Sequence, residues 1–255
     1  PSPPPAAGPT AAPAIPATPN PADKGPSSML ELFDWTSRAH AADVVQGGID
    51  LTRRLQDIAR KLGRAVARDD NADRYRTNME GLLEMAGRRE MSQENLDSSY
   101  RAVYARLVKA AAWQESCWRQ FHQKGNRIVY LESSTHDVGL MQVNKFVWRG
   151  FYSVPRLEWD LLYNASAGME ILAQLLDDIQ GKRGAMSAGK PDELARSTYA
   201  AYNGGPGAYR RWRGREAEDE RLVDDSFWTK YQAVSRGQKI DIMSCAATWG
   251  QAPGH

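Results

Sequence analysis

The chain has 255 residues, enough for one or two domains with a substantial core. Its 33 basic and 31 acidic residues nearly cancel, which removes the general case for a nucleic-acid or membrane-surface binder. No apolar run approaches the length of a membrane-crossing helix, so no integral membrane segment is expected in this chain.

Residues 1–28 carry ten of the fourteen prolines among Ala, Ser, Thr and Gly. Such a stretch cannot bury enough apolar surface to offset chain entropy, and it is expected to be a disordered, extended tether. Residues 29–96 form a helical N-terminal region. Leu51, Leu55, Ile58, Leu62 and Val66 keep helical spacing, with Arg53, Arg54, Arg60, Lys61 and Arg64 on a solvated basic face. Asp69-Asp70-Asn71 breaks this pattern, and a second helix is expected over about 72–86. The region reads as helices packing on the rest of the chain, with a partner-binding module as the alternative.

Ser92 reads as the cap of a long helix over about 93–121. Within it Val103, Leu107 and Ala111 recur every four residues, and Glu115 continues their row. An ionised carboxylate on a core-facing stripe is costly unless paired or protonated, which makes Glu115 the first candidate for chemistry. Residues 128–131 read as a short strand, and 132–137 as a polar loop leading into Gly139-Leu140-Met141-Gln142. An aromatic loop (Phe146, Trp148, Phe151, Tyr152, Trp159) precedes helices over about 164–180, 191–202 and 225–235. Asn203-Gly204-Gly205-Pro206 stops the second of these. Arg210, Arg211, Arg213 and Arg215 read as a solvated basic cluster. Seven of the eight Trp lie from Trp113 onward, which suggests a packed core or an aromatic-lined cleft in this half.

The two cysteines, Cys117 and Cys245, allow either two buried thiols or a disulfide, the latter favoured in an exported chain. A disulfide would tie the C-terminal segment to the helix of Glu115.

Glu115-Ser116, Gly139-Leu140-Met141-Gln142 and Ala201-Tyr202-Asn203-Gly204-Gly205 occur in an order and with a chemistry that resemble the soluble lytic transglycosylase family, of the glycoside hydrolase family 23 type. More distantly they resemble goose-type lysozymes. The resemblance covers about residues 97–249. It implies a mostly α-helical, lysozyme-like catalytic domain over 97–255 with an N-terminal helical extension, and a cleft for peptidoglycan glycan strands. Glu115 matches the catalytic acid. Ser133, with Ser134 as its rival, matches a Ser near the catalytic carboxyl. Gln142 matches a cleft Gln, and Tyr202-Asn203 a pair whose Tyr hydroxyl lies close to the acid. Ser133, Gln142, Asn144, Tyr202 and Asn203 are thus the expected substrate-binding set, with Gly139 and Met141 supporting it.

Two departures stand out. Gly139 lies 24 positions after Glu115, a longer span than the family usually has, and His136-Asp137 replaces the usual Gly-Ala.

The reaction implied is cleavage of the MurNAc-GlcNAc β-1,4 bond with 1,6-anhydromuramyl ends, using one Glu as acid and then base. Asp137 keeps a hydrolytic, lysozyme-like route open. Asn144, an amide where goose-type enzymes carry Asp, argues against it. A non-catalytic peptidoglycan-binding protein is the reading from a different class. No metal-ligand spacing or phosphate loop is present, so neither metal nor cofactor is expected. The expected location is the bacterial cell envelope, periplasmic or exported, with envelope protein partners approaching through 29–96.

Overall fold

The computed structural model describes residues 46–183, 190–214 and 218–249. The tether at 1–28, the start of the N-terminal region and Arg215 lie outside the described residues. The first helix, α1 (Gln46–Leu62), carries Leu55 and Leu62 inward and leaves Arg53, Arg54, Arg60 and Lys61 exposed. It stops at Gly63, whose φ of +47° suits glycine, and not at Asp69. Helix α2 (Ala72–Gln93) runs a full turn and more beyond the expected end at 86.

Ser92 therefore sits in the last turn of α2 and caps nothing; its hydroxyl bonds back to the Arg88 carbonyl. The expected 93–121 helix is shortened at both ends. Asn95 at φ +51° reverses the chain, and Asp97 accepts from the Ser99 amide to start a short 3-10 turn over Ser98–Tyr100. Helix α3 (Arg101–Ser116) follows. It ends where Cys117 and Trp118 both take left-handed backbone, with their amides bonding to Trp113 and Ala112 carbonyls.

The Lys124-Gly125-Asn126 stretch lies well beyond the end of α3. It turns a hairpin between β1 (Phe121–Lys124) and β2 (Arg127–Tyr130), paired antiparallel with Phe121 opposite Tyr130. Gly125 supplies the positive φ that a two-residue hairpin loop needs. A second small antiparallel pair, β3 (Asp137–Val138) with β4 (Val143–Asn144), holds Gly139–Gln142 between its strands.

Helices α4 (Val154–Trp159), α5 (Leu161–Arg183) and α6 (Pro191–Gly204) come next, then a 3-10 segment over Pro206–Arg213. The chain continues through α7 (Glu218–Ser235) and α8 (Ile242–Thr248). The fold is mostly α-helical.

Helix α3 is the centre of the packing, with α2, α5, α6 and α7 against it. Val103, Leu107 and Ala111 meet Met79, Leu82 and Leu83 of α2, Met169, Leu172 and Leu176 of α5, and Phe227 of α7 in one apolar core. The N-terminal helices belong to that core, since Leu55 and Leu62 join it as well. Among the described residues no helix is long and apolar enough to cross a membrane.

Candidate active site

Glu115 stays on the inward row of α3 and is only 5% exposed. Being one residue from the end of the helix, it leaves the close-packed core and reaches the floor of a cleft. Its Oε1 accepts a 2.8 Å hydrogen bond from the Tyr199 hydroxyl. Burial pushes the carboxyl up to about 8. The Tyr199 bond draws it down, the Asp137 charge raises it further, and the Lys230 charge lowers it. The group is therefore protonated near neutral pH, the state a proton donor requires. Tyr199 is itself fixed by stacking on Phe227, with centroids 3.9 Å apart.

The tryptophans nearest Glu115 in sequence are absent from the lining of this cleft. Trp113 and Trp118 line a separate hollow with Lys239 and Ile240. Ile171, Leu175, Ala201 and Tyr202 share the cleft with Glu115.

Gly139–Gln142 is fixed from every side. Ser116 Oγ donates to the Leu140 carbonyl at 2.6 Å. The Leu140 amide donates to Gln120 Oε1, and the Met141 amide to Asn164 Oδ1. Asn164 Nδ2 returns to the Val138 carbonyl. Gly139 has φ +77°, and a Cβ there would stand 2.4 Å from both Asn164 Nδ2 and Gln120 Oε1. Gly168 of α5 makes room in the same way, since its Cβ would meet Met141 Cβ at 2.3 Å. Gln120 and Asn164 are buried amides that the sequence reading passed over. Asn164 opening an otherwise apolar helical stripe was their visible signal.

A cavity of about 400 Å³ gathers Glu115, Asp137, Gln142, Asn144, Tyr202 and Asn203 on its walls. Gln142 donates from Nε2 to the Gly139 carbonyl, and its buried Oε1 has no partner among the described residues.

Tyr202 does not bond the acid. Its hydroxyl donates to the Met141 carbonyl at 2.6 Å, and the bond to the carboxyl comes from Tyr199, one turn earlier on α6. Spacing of i and i+3 puts both tyrosines on one face, which was the signal available.

Asn144 accepts the Phe146 and Val147 amides and donates to the Thr135 carbonyl, so it shapes the loop beneath the cleft. Ser133 is buried away from the cavity wall. Its hydroxyl donates to Asp137 Oδ2 at 2.8 Å and accepts the Thr135 and Asp137 amides. Ser134 is exposed. The Ser133 hydroxyl is thus engaged by Asp137 and Thr135.

Asn203 accepts from Arg211 Nη2, while Arg211 makes a two-pronged pair with Asp224 at 2.7 and 3.0 Å. Arg211 is thus buried in an ion pair, a correction to the solvated Arg cluster. Cys117 and Cys245 form a disulfide. Among the described residues, no group of three or more His, Cys, Asp or Glu gathers as a metal site.

A helical domain with one protonated glutamate on the floor of a polar cleft is the class of glycan-cleaving enzyme that fold and site define. The chain belongs to the transglycosylase SLT domain family, whose model matches residues 95–223. That family is lysozyme-like and mostly helical, and membership makes the chain a peptidoglycan lytic transglycosylase at family level, associated with the cell envelope. The match leaves α1, α2, most of α7 and all of α8 outside it. No curated protein and no solved structure matches the chain.

Proposed function

We propose that the enzyme cleaves the MurNAc-GlcNAc β-1,4 bond of peptidoglycan and leaves 1,6-anhydromuramyl ends, acting in the periplasm or after export. The observation that carries this reading is the buried Glu115 carboxyl held by Tyr199 in the cleft, where burial favours its protonated form. Glu115 gives its proton to the bridging oxygen as the C1–O bond breaks. Its carboxylate, stabilised by the Tyr199 hydroxyl, balances the positive charge on the muramyl ring. It then removes the proton of the muramyl C6 hydroxyl as that oxygen attacks C1. The proton returns to Glu115, and no water is consumed. Gln142 and Asn203 hold the sugars, and Tyr202 keeps Met141 in place.

A second reading has its own support. Asp137 lines the same cavity and is held by the Ser133 and Thr135 hydroxyls, an arrangement that suits a second carboxyl group directing a water. Hydrolysis through Asp137 gives reducing muramyl ends instead.

Digestion of purified peptidoglycan followed by mass spectrometry of the muropeptides separates the two. Anhydromuramyl ends that persist in Asp137→Asn support the water-free route, whereas reducing ends that vanish in Asp137→Asn favour hydrolysis. Glu115→Gln is expected to fold normally and to lose cleavage, by at least about a hundredfold. Near-normal turnover by that variant removes Glu115 from the reaction.

A further inference from the structure

Cys245 and Trp249 lie beyond the stretch that matches the family, yet both reach the helix that carries the acid. Helix α8 begins on Asp241, whose carboxylate accepts the Ser244 amide, and it buries Ile242. Cys245, in the middle of α8, bonds to Cys117, two residues after Glu115. Trp249 follows directly on α8, and its Nε1 donates at 2.7 Å to the main-chain carbonyl of Glu115 itself. The Arg119 guanidinium lies over the Trp249 ring, 5.4 Å from its centroid.

A helix leaves its last four carbonyls without intrahelical partners. In α3 the Ala112 and Trp113 carbonyls are taken by the Trp118 and Cys117 amides, and the indole takes that of Glu115. The turn that presents the acid therefore depends on a group from the far end of the chain.

We propose that Trp249, anchored by α8 and the Cys117–Cys245 disulfide, is a positioning residue that holds the backbone of Glu115 so that its carboxyl stays at depth in the cleft. The inference rests on Glu115 being the acid. The groups facing that carboxyl are Tyr199 and Tyr202 from α6, Asp137 from β3 and Lys230 from α7. None of them is altered by a change at 249.

Trp249→Phe keeps a ring near Arg119 and removes the N–H. A looser last turn hydrates the carboxyl, so it ionises at lower pH. The expected result is a kcat about tenfold lower with KM changed less than about twofold, and an alkaline limb of kcat/KM displaced to lower pH. The same displacement appears without turnover in a carbon-13 NMR titration of carboxyl-labelled glutamate. There the Glu115 signal is identified by its loss in Glu115→Gln. Cys245→Ser, which frees α8, moves the titration in the same direction.

A Trp249→Phe enzyme with a lower Tm but unchanged titration and kcat makes Trp249 merely structural and overturns the inference. A wild-type chain that leaves glycan intact, while its Glu115 titration still moves in Trp249→Phe, sinks the proposed reaction and supports the positioning.

Discussion

A carboxyl that serves first as acid and then as base needs two opposing influences, one favouring the proton and one favouring its departure. At Glu115 burial supplies the first and the Tyr199 hydroxyl the second. Tyr199→Phe removes only the second. The carboxyl then binds its proton more tightly, so the alkaline limb of the pH–rate profile moves above about 8, and the anion formed during reaction loses a donor. A hydrogen bond to a charged group is worth enough to lower kcat roughly 10- to 100-fold. A pH profile checks both effects, and a limb that stays in place detaches Tyr199 from the acid. The displacement is opposite in sign to that expected of Trp249→Phe, so the two variants report on different supports of one group.

At this scale the buried carboxyl was legible, because Glu115 continues the inward row of Val103, Leu107 and Ala111. The choice between Tyr199 and Tyr202 was not legible. Both lie on one face of α6, and only the approach of Gly139–Gln142 decides which hydroxyl meets the carboxyl and which meets Met141.

Elements were legible where a period or a glycine fixed them and blurred where a polar side chain intervened. The inward row of α3 and the stripe of α5 follow from spacing alone. The join of α2 to α3 does not, because Asn95 reverses the chain and Asp97 restarts it inside a stretch whose apolar pattern hardly pauses. The polar nails of Gly139–Gln142 escaped for a related reason. Ser116, Gln120 and Asn164 act across distances of 20 residues and more, which no local pattern reports.

Gly139 tests how much that element matters. Gly139→Ala meets both a left-handed backbone and two side-chain atoms at 2.4 Å, so Gln120 and Asn164 must give way together. A loss of at least about 2 kcal/mol is expected, read as a lower urea midpoint at unchanged slope. Cleavage falls more steeply than stability, since Gln142 and Met141 move with the segment. An unshifted midpoint shows that the segment tolerates displacement and is not the fixed wall the hydrogen bonds describe.

Across the whole molecule the raised Glu115 carboxyl links the proposed catalysis to stability. The matched stretch is flanked by α1 and α2 on one side and by most of α7 and α8 on the other; α2 packs on α3, α1 on α2 and α5, and α8 on α2. We propose on this ground that 46–96 folds with the catalytic part and not as a separate module. The acid sits where these supports converge, and it binds its proton more tightly folded, at about 8, than an unfolded glutamate does near 4.5.

The folded state thus holds the extra proton between those values, and stability falls as pH rises through the interval, by at most about 1.4 kcal/mol per pH unit for the one group. Glu170, raised to about 7 by burial and by Glu94, adds a decline of the same sign below neutral pH. Lys230, lowered to about 8 by burial, acts in the window above and with the opposite sign, because the folded state sheds its proton first. Between pH 5 and 7.5 the decline therefore comes from the raised carboxyls, with His122, lowered by burial, opposing it equally in wild type and variant. Glu115→Gln leaves the Glu170 contribution and removes that of the acid, so its Tm should fall less over this range than that of the wild type. Two parallel Tm–pH curves mean that Glu115 is ionised in the folded enzyme at neutral pH, and a group in that state has no proton to give the glycosidic oxygen.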